Sequence, residues 1–441
     1  MANSFSRRER LAEQIRSARG PVGLYNITGN LFRPHAREPA VRLDMRDFNH
    51  VLELDPASGW VDAEGMTTYE NLVLATLACG LMPAVVPPLK TMTIGGAVAG
   101  AGIEASAFRQ GLVHENILEL EVLAGDGNVY LCTPENENRE LFFGFANAYG
   151  TLGYALRVRS RTLPVKKFVR LEHLRFHDVE EYFQAIARAC LDEVDFLDGV
   201  VFAPDEQYLV GGSFVDAAPY TSDYTFEKQY FRSVRDRETD FLSTHDFLWR
   251  WDTDAYWCSR QFGMQIPAMR RFAGKPRLHS RTYGRWSRWK ERWHLGRSAD
   301  WLLRRRHETV GLNVAIPIVR AAEFLDFFHR EVGILPIWIC PFRSTGAQFP
   351  LCPIKPAATY VNFGFWDAVR TPRDAPPGQV SRRIGRKVTE LGGIQSLYAG
   401  NFLLRSEFDA AYGGEAYRQL KVRYDPQQRF PELYDKLVAR Q

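Results

Sequence analysis

The chain has 441 residues, of which 45% are hydrophobic, 13% aromatic and 24% charged, with a formal net charge of +4. This composition excludes wholesale disorder, and no run reaches the roughly 18 uninterrupted apolar residues that a membrane-spanning helix needs. The length predicts two or three domains, and six cysteines without a CxxC pair predict a reduced, cytoplasmic protein with neither a zinc site nor a disulfide framework.

The first residues, MANSFSRRERLAEQIRSARG, predict a short basic helix. AVRLDM, VLELD and WVDAEG read as strands, with a turn at Asp55 to Gly59. Thr67 to Gly80 is predicted helical, with a threonine cap, Glu70 three residues on and a terminal glycine. ILELEVLAGDGNVYLCTP reads as a hairpin, and GTLGYALRVRSRTLPV as a glycine turn leading into a strand. From Lys166 the texture changes. A helix in HDVEEYFQAIARACLDEV, strands in DGVVFAPDEQYLVGGSF, an amphipathic helix over Ile318 to Gly333 and buried strands in PIWICPF and ATYVNFGFW are predicted. The expected domains are 1–165, 166–393 and 394–441.

Charge is unevenly spread. Ile266 to Val310 holds 13 Lys/Arg against Glu291, Asp300 and Glu308, which leaves the remainder of the chain net acidic. Read as one helix, Arg285 to Arg306 puts Trp286, Trp289, Trp293 and Trp301 within an arc of roughly 120° flanked by cations. That composition predicts docking on an anionic membrane in preference to nucleic acid, and a peripheral position at the inner face of the membrane. Burial of the Trp rings within the fold is the plain alternative.

The sharpest local signal is Thr93-Ile94-Gly95-Gly96-Ala97-Val98-Ala99-Gly100-Ala101-Gly102. Residues without bulk let a backbone approach phosphate oxygens closely. Gly100, Gly102 and Ala105 also satisfy GxGxxG/A, but Gly111 follows too soon for the long helix of a dinucleotide fold. Close packing of elements is the competing structural reading. His35, His50 and His114 have no ligand spacing, so no metal is predicted, and Cys340 reads as a packed core thiol.

TIGGAVAGAGIEASAFRQGLVHENILELEVLAGDGNVYLCTP, followed by ELFFGFANAYGTLGYALRVRSRTLPV, resembles the flavin domain of the vanillyl-alcohol-oxidase-type (PCMH-type) flavoproteins. The resemblance implies an α+β fold: a two-part FAD-binding domain, an α+β substrate cap, and a C-terminal return to the flavin. It implies noncovalent FAD held by Thr93, Ile94, Gly95, Gly96, Gly100, Gly102, Gly111, Gly150, Thr151 and Gly153. LYNITGNLFRP stands where the family has its first phosphate loop, which makes Asn30 a further candidate, with Asn26, Thr28 and Gly29 beside it.

GIEAS, ILPIWICPF, SLYAGNF and RFPELYDKL are similar to delta-24-sterol reductases. YTSDYT, DFLWRWDTDAYWCSRQFG and FHREVG look closer to bacterial reductases or dehydrogenases of methylene- and methyl-branched fatty acyl chains. Both branches imply FAD and a carbon–carbon double bond in a lipid. The sterol branch implies NADPH as electron donor, and the acyl branch implies a methyltransferase in the same pathway. Tyr398 and Glu104 become the candidate proton donors. Arg423, with Lys421, precedes Asp425-Pro426, where the resemblance puts a cation near the pyrimidine end of the flavin. A non-enzymatic lipid-binding protein and an oxidase of small alcohols are the competing classes.

Overall fold

The computed structural model describes residues 2–25, 39–292 and 306–438. The fold is α+β, built on two antiparallel sheets with a small parallel pair beside the first. That pair is β1 (Val22–Leu24) with β2 (Val41–Leu43). The N-terminal helix Ala2–Arg16 forms as its sequence predicts, and buries Leu11, Ala12 and Ile15 against Leu43, Phe48 and Phe430.

The first sheet contains β3 (Val51–Asp55), β4 (Trp60–Glu64), β5 (Leu81–Pro83), β6 (Ile117–Ala124), β7 (Val129–Cys132) and β8 (Gly153–Pro164). Its order is β3-β4-β8-β6-β7, with β5 pairing the far end of β8. The β6–β7 hairpin turns through Gly127 at φ 81°, as the Gly-Asp-Gly signal requires. The predicted helix after β4 spans Tyr69–Leu77. Its cap is Thr68 rather than Thr67, because it is the Thr68 hydroxyl that reaches the Asn71 N–H.

The second sheet contains β9 (Phe168–Phe176), β10 (Phe196–Ala203), β11 (Glu206–Val215), β12 (Thr239–Ser243), β13 (Arg306–Pro317), β14 (Ile337–Arg343), β15 (Thr359–Thr371) and β16 (Ile394–Gln395). Its order is β12-β9-β11-β10-β14-β15-β13-β16. The chain leaves one sheet at Pro164 and enters the other at Phe168. The second sheet includes Ile394 and Gln395, two residues beyond the predicted cap.

Period-two alternation explains why PIWICPF reads as continuously apolar: both faces of this sheet are buried. Ile337 and Ile339 face the helices Val179–Ala189, Ala321–Glu331 and Gln379–Glu390, through Tyr182, Phe324, Phe328 and Ile384. Trp338 and Cys340 point the other way, into the core shared with the glycine-rich domain. That shared face is where the candidate site lies.

The long Trp-bearing helix is corrected. A helix covers Ser280–Arg292, but Arg306 already begins β13, because Arg306 to Pro317 pairs residue for residue with β15. Trp286 packs against Phe262 and Tyr283, while Trp289 is 59% exposed. Trp293 and Trp301 lie outside the described residues.

Candidate active site

The glycine-rich segment forms the six-residue helix Ile94–Ala99, capped by the Thr93 hydroxyl accepting from Gly96 N–H. Gly95 donates its N–H to Gly65 O, and a Cβ on Gly95 would lie 2.8 Å from that oxygen. Here glycine serves helix–strand contact, as the structural reading holds. Gly96 differs: it is exposed, and a Cβ there would meet only the Thr93 hydroxyl.

The later glycine turn folds back onto this helix. Tyr149 N–H donates to Ala99 O, and the Tyr149 hydroxyl donates to Gly100 O at 3.3 Å. Asn147, Tyr149 and Gly150 all have positive φ, a tight reversal that buries Gly150 against the Tyr154 ring. Two glycine segments some fifty residues apart thereby form one backbone-lined ledge.

Beyond Gly102 the chain runs to Glu104, which is buried, and is pinned by Leu197 N–H donating to Ala105 O at 2.8 Å. Arg250, also fully buried, donates to Glu104 Oε1 at 2.5 Å and to Asp198 Oδ2 at 2.7 Å. Trp251 and Trp338 indoles donate to the same Asp198 oxygen at 3.4 and 3.3 Å. Two carboxylates thus share one cation in a dry site, and ionising both would leave a buried net negative charge. Asp198 receives three donors, so the proton is better placed on Glu104. Burial, followed by the nearby Asp198 charge and against the pull of Arg250, raises Glu104 to about 7. Its second oxygen, Oε2, has no partner among the described residues.

An aromatic box lies beside this pair of acids, with Trp251 and Trp338 donating to Asp198. Ala255 and Tyr256 both adopt positive φ, 42° and 64°, which a tyrosine adopts only when the surroundings enforce it. The enforcement is visible: Tyr256 N–H donates to Trp251 O, Ser259 Oγ donates to Asp254 Oδ1, and buried Arg270 donates to the same carboxylate at 2.6 Å. The Tyr256 ring therefore stacks between Trp251 and Trp366, with centroids at 4.9 and 4.5 Å, and touches Trp338 at 5.1 Å. Trp366 Nε1 donates to the Tyr398 hydroxyl oxygen at 2.9 Å. Burial pushes Tyr398 well above the ordinary tyrosine range, so its own proton stays in place for donation. Cys340 lies in the core with its thiol raised by burial, in agreement with the packed-thiol reading.

The structure therefore brings together Glu104, Tyr398, the Gly96–Gly100 ledge and the Gly150 turn. It separates the basic candidates. Lys421 is corrected: its ammonium is consumed by Thr151 O at 2.8 Å, Asp425 Oδ2 at 2.6 Å and Phe430 O at 2.9 Å, tying helix Gly414–Tyr424 to the glycine turn. Arg423 is also corrected, since it is exposed and pairs with Glu140 on the surface. Ile94 is in the core; Thr151 donates to Ala148 O; Gly102, Gly111 and Gly153 are hemmed in by the chain's own atoms. Asn30 lies outside the described residues. Arg250, Asp198, Tyr256 and Trp366 were not singled out from sequence. The available signal was a charge inside an apolar run, in FLDGVV and FLWRW, which must find a partner when buried.

The ledge and its buried unpartnered atoms suit FAD. Glu104 Oε2 and His114 Nδ1 lack partners among the described residues, and His114 is held neutral, its value lowered by burial to about 4. A bulky cofactor with its own donors and acceptors fits such a surface. The glycines accordingly separate by experiment. Gly96→Val is expected to lose bound FAD, read as the absorbance near 450 nm per protein, at a stability cost of about 1 kcal/mol from the disturbed Thr93 cap. Gly95→Val is expected to unfold the domain instead. Full flavin occupancy in Gly96→Val would refute the ledge.

The FAD binding domain family matches residues 13–133. Over 405 residues the chain is 25% identical to a Delta(24)-sterol reductase of Homo sapiens, covering 88% of this chain and 76% of that protein. It is 21% identical over 468 residues to a Delta(24)-sterol reductase of Arabidopsis thaliana, covering 94% and 78%. It is 34% identical over 126 residues to cytokinin dehydrogenase 7 of Oryza sativa subsp. japonica, covering 29% and 24%.

Proposed function

We propose that this chain, an FAD-dependent oxidoreductase, reduces a carbon–carbon double bond in a branched lipid chain. The observation that carries this reading is a buried carboxyl, Glu104, whose Oε2 has no partner among the described residues and whose Arg250 partner also holds Asp198, the acceptor of the Trp251 and Trp338 indoles. Bound flavin supplies hydride chemistry, with NADPH as the proposed source of electrons. The chain's own residues supply the rest. Tyr256, Trp338 and Trp366 offer flat apolar walls that exclude water and orient an alkene. Glu104 Oε2 or the Tyr398 hydroxyl delivers a proton to one alkene carbon, the other having taken hydride. Asp198, through Arg250, positions Glu104.

The names of the relatives favour the side chain of a sterol. A branched acyl chain with an anionic head is favoured by a different observation. A cavity of about 480 Å³ is lined by Phe202, Phe231, Leu335 and Pro336 together with Arg232, Arg235 and Asp236; Arg235 is paired with Glu206, so Arg232 is the cation that would meet the head. Its Phe231 ring packs at 6.3 Å, centroid to centroid, against Trp257, which in turn packs on Tyr256 and Trp366, so a head on Arg232 would leave its chain on the side of the aromatic cluster. This acyl reading implies an upstream enzyme of methyltransferase type.

The two substrates are tested by mixing the anaerobically reduced holoprotein with a 24-unsaturated sterol or with a methylene-branched acyl phospholipid. Reoxidation of the flavin with a two-hydrogen mass gain identifies the substrate, and reoxidation by neither ends the reductase reading. Tyr398→Phe keeps the ring. With whichever lipid reacts, it is expected to lower turnover by about 10²-fold if its hydroxyl is the donor, with flavin content unchanged.

A further inference from the structure

The basic segment presents an apolar face that its sequence periodicity did not single out. Helix Pro267–Ala273 turns Arg270 and Ala273 inward, where Arg270 meets Asp254 and the carbonyls of Met264 and Phe226. Ile266, Met269 and Phe272, spaced by three, all face outward, and Phe272 is 86% exposed. An isolated exposed leucine needs no explanation, but three large apolar side chains on one helix face do. Around them, Ile266 to Arg292 holds nine Lys/Arg against the single Glu291.

We propose that this face docks on an anionic lipid bilayer, with Phe272, Met269 and Ile266 inserted below the headgroups and the neighbouring cations against lipid phosphate. Charge complementarity selects this occupant. Arg271 pairs with Glu227, Lys275 with Asp223 and Arg281 with Glu70, but all three pairs are exposed and the last two are long, at 3.7 and 3.5 Å. Such solvated pairs are weak, so these cations are free to turn to phosphate. Trp289, exposed on the next helix, adds an indole suited to headgroup depth.

Two side-chain hydrogen bonds tie this region to the loop that carries Tyr256. Arg270, on the inner side of the face, holds Asp254 in the loop that forces Tyr256 into place, and Ser280 Oγ donates to Asp252 Oδ1 of the same loop. Arg260, in the turn leading to the docking helix, donates to Leu335 O in the wall of the cavity beside Phe231. Docking there would set the lipid source beside the route to Glu104, which rests on the reading above; the docking itself does not.

The test is sedimentation of flavin-loaded protein with vesicles of equal phosphatidylglycerol and phosphatidylcholine, and it needs no turnover. Wild-type protein is expected to sediment at low salt, to bind phosphatidylcholine alone far more weakly, and to release as salt rises from about 0.05 to about 0.5 M. Phe272→Ser is expected to weaken binding at least tenfold, and Ile266→Ser with Met269→Ser and Phe272→Ser to abolish it, with flavin absorbance and melting temperature unchanged. Failure of the wild type to sediment, equal binding to phosphatidylcholine alone, or an undiminished triple variant overturns the proposal. So does an oligonucleotide that displaces the vesicles, or a triple variant that turns a dimer into a monomer.

Discussion

Glu104→Gln is expected to lower the rate of lipid reduction by about 10²-fold or more and to abolish the fall in rate that the wild type shows as pH rises through about 7. Glutamine keeps the shape and still accepts from Arg250, so the box stays intact; only the transferable proton is lost. The sign follows from the direction of the shift. The Glu104 carboxyl holds its proton above its ordinary value of 4.5, up to about 7. Reduction needs that proton, so it runs fully on the acid side and fails on the alkaline side. The same shift affects stability. Between about 4.5 and about 7 the folded protein holds a proton that the unfolded chain has released, so this group's contribution declines as pH rises. Glu104→Gln should flatten both profiles. Should Glu104→Gln keep wild-type turnover, with Tyr398→Phe inactive, the proton comes from Tyr398 and Glu104 only positions its surroundings.

Arg250→Met is expected to be the most destabilising substitution in the site, costing about 3–5 kcal/mol in urea unfolding. The guanidinium is fully buried and holds two carboxylates, while stacking 4.1 Å from the Phe247 ring centroid. Its removal strands Asp198 without a counter-charge and leaves Glu104 Oε1 without its donor, and the low dielectric makes that worse than losing the pair altogether. Adding Asp198→Asn and Glu104→Gln to Arg250→Met should therefore recover part of the lost stability. A triple variant no more stable than Arg250→Met would mean that packing, not charge, accounts for the loss.

Local physics made much of this protein legible in one dimension. The β6–β7 hairpin, helix Tyr69–Leu77, helix Ala321–Glu331 and the strands of PIWICPF and ATYVNFGFW follow from periodicity, caps and turn residues, whose signals lie within a few residues of each other. The glycine segments and Glu104 were also visible, the former by composition and the latter as a charge set among small residues. The α+β class and the FAD domain followed from those motifs together with family resemblance.

What the tertiary structure alone decided is how distant charges and rings are paired. Lys421 and Arg423 are two residues apart and alike in sequence, yet one is spent inside the protein on Asp425 and three carbonyls and the other is on the surface with Glu140. Arg250 meets Glu104 and Asp198 across separations of 146 and 52 residues. Tyr256 is aimed by a backbone conformation that its sequence disfavours and its neighbours impose. Trp286 and Phe272, both apolar residues in a basic segment, end respectively packed and exposed, because helix Ser280–Arg292 has Tyr283 and Phe262 to pack against on the side that Trp286 faces. Sequence fixes which side chains must find partners, since burying a charge or exposing a ring is costly wherever it occurs. Which partner is found depends on the register of the strands and the crossing of the two sheets, and those are set by contacts between residues far apart in the chain.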